Sequence, residues 1–267
     1  MSTVSANAGA QRIAGAFTAS GKRAALMPYL MGGFPDIGLS REIGEAYADG
    51  GADLVELGVP FSDPLADGPV IQAAGARALA AGATVGAVLE VASSIAQRVP
   101  VVIMVYANLV LARGPAVFAA DLAAANVSGL IVPDLPLEEA TETLEACEAA
   151  GIALVPLVAP TTPDDRLAII GARARGFLYT VSVTGTTGER AALSDAFARV
   201  VQRAKAHSGV PVALGFGIAG PDQARQAADA GADGVIVGSR LVRAAGEAAD
   251  PPAAVRELVA ELADALR

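Results

Sequence analysis

The chain has 267 residues, 53% of them hydrophobic and only 18% charged, so it can bury a sizeable core and is not broadly disordered. A formal net charge of −9 leaves no basic face of the kind a general nucleic-acid binder needs for phosphates. The single cysteine, Cys147, excludes an internal disulfide and points to a reducing, cytoplasmic compartment, and no stretch approaches the ~20 apolar residues that span a bilayer.

In chain order, the opening MSTVSANAGAQRIAGAF lacks a basic segment followed by a long apolar run, so it does not read as a secretion signal. Residues 1 to about 20 read as a short extension. The first apolar run is ALMPYLMG (25–32), after which Ile43, Ala46 and Tyr47 share one helical face. DLVELG (53–58), PVVIMVY (100–106) and GLIVPD (129–134) follow. The spacing Leu137, Ala140, Leu144, Cys147 predicts a helix with the cysteine on its buried face. Next come IALVPLV (152–158), helical spacing at Leu167 and Ile170, then GFLYTVSV (176–183) and PVALGFG (211–217). Ala224, Ala227 and Ala228 mark a further helix ahead of DGVIVGS (233–239). Near-continuous apolar strands alternating with amphipathic helices predict a parallel sheet covered on its outer face. Eight such units in about 250 residues fit the α/β class and a closed (β/α)8 TIM barrel; a doubly wound open sheet is the competing architecture. No composition shift or linker divides residues 1–267, which read as one barrel domain.

Two strands share the pattern G-A-D-x-V-x-x-G: GADLVELG (51–58) and GADGVIVG (231–238). A common strand-entry turn accounts for the likeness, and the comparison sets Glu56 against Ile236. A carboxylate buried without a partner is costly, so Glu56 is expected where the barrel opens to its functional mouth. The alternative is a structural glutamate paired with an arginine, but no basic residue lies nearby in sequence. Asp67 follows in the acidic, proline-studded loop GVPFSDPLADGP.

Late in the chain, TGTTGER (184–190), GFGIAGPDQA (215–224) and GSRLVRA (238–244) place glycines after three successive strands. Glycine lets backbone N–H groups approach an anion, and the loops after strands seven and eight are the recurrent phosphate site of such barrels. A small phosphorylated substrate is the expectation. The two lysines, Lys22 and Lys205, stand away from C-terminal strand ends, which disfavours a Schiff base. The lone His207 precedes a strand, and one histidine cannot build a zinc site, so no metal is expected. GFGIAG has the dinucleotide spacing but comes too late in the chain. What remains is carboxylate acid–base chemistry by Glu56 and Asp67, with hydroxyls of Tyr179 and Thr187 in reach. A sugar-phosphate isomerase using two carboxylates, or a non-catalytic barrel acting as a binding subunit, stays open on these grounds.

The run ELGVPFSDPLADGPVIQ (56–72) resembles the signature of the tryptophan synthase alpha-subunit family, as do PYLMGGFPD, VYANLV, VPDLPLEE, VTGTTG and GFGI. The similarity extends from about residue 22 to the end. It implies a lyase that cleaves indole-3-glycerol phosphate to indole and glyceraldehyde 3-phosphate. By the same resemblance Glu56 is the general acid–base and Asp67 accepts the indole N–H. Tyr29, Met104, Tyr179, Thr187 and Phe216 match the indole side of the pocket, while Gly188, Gly217, Gly238 and Ser239 match the phosphate cradle. Tyr106 is open between wall packing and contact. Pro60, Asp63, Asn108 and Pro136 match surfaces that face a beta subunit in an αββα assembly. Pyridoxal phosphate is expected in that partner only, and no cofactor in this chain. The resemblance also implies that loops 60–69 and 183–192 order in the complex. Phe34 departs from the polar or acidic residue many members carry, and is expected at the barrel mouth.

Overall fold

Glycine or proline bounds each apolar run, and in the computed structural model, which describes residues 7–181, 190–215 and 217–267, those runs become strands of one parallel sheet. The strands are β1 (Ala25–Met31), β2 (Val55–Gly58), β3 (Val101–Met104), β4 (Gly129–Ile131), β5 (Ala153–Leu154), β6 (Leu157–Val158), β7 (Leu178–Val181), β8 (Val212–Gly215) and β9 (Gly234–Val237). Their spatial order is β5-β4-β3-β2-β1-β9-β8-β7-β6. The helices are α1 (Ala8–Ala19), α2 (Ile37–Asp49), α3 (Pro69–Ala80), α4 (Val85–Ile95), α5 (Ala107–Arg113) and α6 (Pro115–Ala124), then α7 (Thr141–Ala150), α8 (Asp164–Arg173), α9 (Arg190–His207), α10 (Pro221–Asp229), α11 (Ser239–Glu247) and α12 (Pro251–Ala265). Among the described residues no single helix is long and apolar enough to cross a membrane.

The fifth apolar run, expected as one strand, forms two. Val155 N–H donates to Leu130 O at 2.8 Å, whereas Tyr179 N–H donates to Pro156 O at 3.0 Å. The chain therefore pairs with β4 before Pro156 and with β7 after it. Proline has no N–H to continue the first ladder, which is why the run divides there. The two sheet edges are consecutive pieces of one segment, and that segment closes the (β/α)8 barrel.

Strand alternation sorts side chains between two cores. Met27, Leu54, Val102, Phe177, Ala213 and Ile236 belong to a cluster inside the barrel, while Leu26, Val55, Ile103, Leu130 and Val235 pack outward in the cluster that includes helix residues. Ile43, Ala46 and Tyr47 on α2 and Ala224 and Ala227 on α10 are buried as the spacing predicted, and Leu167 and Ile170 on α8 likewise. The supposed extension is in large part α1, whose wholly buried Ile13 joins the interior cluster. Asn7 caps α1 by accepting from Ala10 N–H at 2.9 Å and donates to Ile152 O at 2.8 Å, and Arg12 donates to Val127 O at 2.8 Å. These bonds reach residues just before β4 and β5, so α1 stoppers the N-terminal end of the barrel.

The G-A-D repeat has a concrete cause at that same end. Asp53 accepts from Leu26 N–H at 2.7 Å and from Lys22 Nζ at 2.8 Å; Asp233 accepts from Val212 N–H and from Lys205 Nζ, both at 2.8 Å. Both lysines are thus committed to stapling adjacent strands. One expectation needs correction. Helix α7 starts at Thr141, and Leu137 and Ala140 lie in the turns before it, where Glu139 N–H and Ala140 N–H bond back to Pro136 O and Leu137 O. Phe34 follows the C-terminal end of β1 and is buried there: it is 6% exposed, under the Arg77 guanidinium at 5.2 Å and close against Gly246 on α11.

Candidate active site

Glu56 is inward because Leu54 is inward: residues two apart on a strand face the same side. In register it is paired with Tyr29 on β1 and Val102 on β3. It is 3% exposed, takes part in no ion pair among the described residues, and its Oε2 is buried with no hydrogen-bond partner there. Leaving such an atom unpaired costs about 1–3 kcal/mol, more if charged. The molecule limits this cost by protonation: burial first, then the nearby negative Asp67, pushes the Glu56 carboxyl up to about 8. At pH 7 a group with that value is neutral by about ten to one.

Asp67 is carried on the segment between β2 and α3, which folds onto itself. Asp67 N–H donates to Pro64 O at 3.1 Å, and the Gln72 side chain donates to Asp67 O at 2.8 Å. The segment is also tied to the start of α5. Ala66 N–H donates to the Tyr106 hydroxyl at 3.0 Å, and the Tyr106 ring stacks on Phe61 at 5.3 Å between centroids. Burial raises the Asp67 carboxyl, and a hydrogen bond from Tyr106 opposes that rise. Tyr106, which the sequence left undecided, therefore holds the loop that bears Asp67 and touches Asp67 itself.

Glu56 and Asp67 face a cavity of about 280 Å³. Its apolar wall includes Tyr29, Ile71, Met104, Tyr179, Ile218 and Ile236. Both tyrosine hydroxyls are raised well above their ordinary value, by burial first and by the carboxylates second, so they remain protonated. Glycines make room for them. A Cβ on Gly58 would stand 2.1 Å from the Tyr29 hydroxyl, and one on Gly215 would stand 2.5 Å from that of Tyr179. The remaining wall is Gly68, Gly217, Ala219, Gly238, Ser239 and Arg240. Gly217 has φ +80°, open to glycine and strained for other residues, and Gly238 is the N-cap of α11, whose first N–H groups are free of intrahelical partners. This end is suited to an anion.

The structure thus brings Glu56, Asp67, Tyr29, Met104, Tyr179, Gly217, Gly238 and Ser239 to one cavity. Thr187, Gly188 and Phe216, and most of the loop 183–192, lie outside the described residues. Gly68, Ile71, Ile218 and Ala219 also line the cavity but were not singled out, Ile218 directly following Gly217; Arg240 lies within the run GSRLVRA noted in the sequence. Among the described residues there is no cluster of acidic, histidine or cysteine side chains that could hold a metal. Of the residues expected on a partner surface, Asp63, Asn108 and Pro136 are exposed. Pro60 is a correction: it is buried, because Val59 N–H still bonds Met104 O at 2.8 Å and holds the chain against β3 at that point.

The model of the family described as tryptophan synthase alpha chain matches residues 16–266. A tryptophan synthase alpha chain of Synechococcus sp. (strain CC9902) is 53% identical over 223 residues, covering 83% of each chain. Among solved structures, Mycobacterium tuberculosis tryptophan synthase superposes with a TM-score of 0.88 at 41% identity, over 96% of this chain and 98% of that one. A chain of the tryptophan synthase a2b2 complex from Pyrococcus furiosus gives 0.85 at 37% identity, over 90% and 98%.

Proposed function

The chain belongs to the tryptophan synthase alpha chain family, and from that premise we propose how its cavity cleaves indole-3-glycerol phosphate to indole and glyceraldehyde 3-phosphate. Glu56 starts protonated and gives its proton to C3 of the indole ring. The ring then carries positive charge, which the Asp67 carboxylate stabilises by accepting the indole N–H. The Glu56 carboxylate takes the proton of the glycerol hydroxyl, a carbonyl forms, and the electrons of the breaking carbon–carbon bond flow into the ring. Glu56 ends protonated, so no net proton is consumed. The indole itself is the electron sink, and Lys22 and Lys205 are occupied elsewhere. Tyr29, Met104 and Tyr179 hold the ring, with Thr187 and Phe216 assigned by resemblance alone; Gly217, Gly238 and Ser239, with Gly188 on the same ground, hold the phosphate.

The observation that carries this reading is the buried, unpaired Glu56 oxygen on a cavity wall shared with Asp67. Indole release from indole-3-glycerol phosphate by the purified protein tests it. No release, with or without a partner subunit, would overturn it. The partner is a tryptophan synthase beta subunit, and Asp63, Asn108 and Pro136 are assigned to its contact surface. Pyridoxal phosphate is assigned to that subunit. One sheet carrying all nine described strands, with α1 across its N-terminal end, supports treating residues 1–267 as one domain. The lone buried thiol of Cys147, together with biosynthetic chemistry, supports a cytoplasmic location.

A further inference from the structure

We propose that Arg240 is the charge-selecting residue of this cavity, engaging the phosphate of the substrate and favouring phosphorylated over neutral molecules. The inference rests on the functional reading above and adds a side chain to a cradle otherwise made of backbone and one hydroxyl. The charged residues lining the cavity are Glu56, Asp67 and Arg240, so Arg240 is the one cationic residue there among the described residues. A phosphate monoester brings up to two negative charges into a space that already holds two acids. The N–H groups opening α11 offset this only in part, since a helix terminus amounts to roughly half a unit charge.

Arg240 is the second residue of α11, directly after Ser239 and Gly238. It is exposed, and no described residue takes it as an ion-pair or hydrogen-bond partner. Several other arginines are engaged, among them Arg98 with Asp49, Arg166 with Glu138 through two hydrogen bonds, and Arg203 with Asp164. An arginine without a described partner, carried on the helix whose opening N–H groups are free, is suited to a forked, two-bond grip on a phosphate, which a hydroxyl cannot provide.

The test uses the full chain and two substrates, indole-3-glycerol phosphate and its dephosphorylated counterpart indole-3-glycerol, with Arg240→Ala and Arg240→Lys. For the phosphorylated substrate, Arg240→Ala should raise KM about five- to tenfold while kcat changes less than about twofold, as expected of a solvent-facing charged contact. Turnover of indole-3-glycerol should be unchanged, Arg240→Lys should recover part of the loss, and the rise of KM with salt should flatten in Arg240→Ala. An unchanged KM, or equal losses on both substrates, overturns the proposal. Circular dichroism checks that the variants fold. If the parent protein does not cleave indole-3-glycerol phosphate, the functional reading fails separately. Titration with glycerol 3-phosphate then decides on Arg240 alone: weaker binding to Arg240→Ala supports it, and equal binding refutes it.

Discussion

Glu56 is stable in its position chiefly as the neutral acid, and this gives two predictions. Its pKa rises from the ordinary 4.5 to about 8 on folding, so between those values the folded state binds the extra proton. Stability from this group is full below about pH 4.5 and is lost as pH rises through about 8. Glu56→Gln, neutral at every pH, should match the parent near pH 4.5 and exceed it by a few kcal/mol above pH 8. Urea unfolding at the two pH values measures this, and a constant difference would refute it. The same substitution should abolish indole release with substrate binding largely kept. Turnover in the parent should fall above about pH 8, when the donor is ionised, and also on the acid side once the raised Asp67 carboxyl protonates. The two acids interact, so the limbs belong to the pair. Tyr106→Phe keeps the stack on Phe61 and removes the hydroxyl that bonds Ala66 N–H and Asp67. Asp67 then loses a bond that favours its charged form, so the acid limb should move to higher pH and kcat should drop by about tenfold, the equivalent of one lost charge-assisted bond. An unmoved limb would mean that Tyr106 is only wall. Glu56 stood out in the sequence as an acid inside an apolar strand. Tyr106 did not, because its role depends on a loop some forty residues earlier in the chain folding back on it.

The elements themselves were legible wherever alternation and punctuation agreed. DLVELG shows its faces directly: Leu54 and Glu56 go in, Val55 and Leu57 go out. IALVPLV shows the same apolar pattern but conceals that its proline divides it between two neighbours, since hydropathy carries no record of which strand supplies each hydrogen bond. The G-A-D repeat was visible as a pattern and opaque in purpose, because the lysines that answer the two aspartates lie about thirty residues away. The two staples differ in burial, and that difference is testable. Lys22 and Asp53 side chains are 8% and 9% exposed; Lys205 and Asp233 are 43% and 36% exposed. Removing one partner of a buried pair leaves an uncompensated charge and costs about 3–5 kcal/mol, against about 1 kcal/mol or less at the surface. Lys22→Ala should therefore destabilise far more than Lys205→Ala in urea unfolding, and equal losses would refute this account. At the active end, Gly58→Ala should push the Tyr29 ring off the cavity wall at about 1–3 kcal/mol, read as a lowered Tm with a raised KM.

At the scale of the whole molecule, the barrel was readable from strand count and helix spacing, whereas the surface that meets another protein was not, because exposure depends on the assembled fold. Pro60 and Asp63, three residues apart in one motif, fall on opposite sides of that line: the first is buried, the second exposed. The segment carrying Asp67 also presents Leu65 at 94% exposure, and α5, which begins just after Tyr106, presents Leu111 at 57%. An exposed leucine is common, but Leu65 sits two residues from a proposed catalytic carboxylate, in a segment held from behind by Tyr106. A beta subunit that covers Leu65 would press on the loop that aims Asp67, and so couple binding to chemistry through one short piece of chain. Burying a leucine contributes about 1.5–3 kcal/mol, so Leu65→Ser should weaken association with a purified beta subunit by at least about tenfold. The isolated variant should cleave at the rate of the isolated parent, since Leu65 does not line the cavity. Titrating beta subunit against indole release separates the two effects: the variant should need more partner to reach the rate the parent shows when saturated with it. If both proteins respond alike, Leu65 is outside the contact, and the coupling must enter through the surface around Asn108 and Pro136 instead.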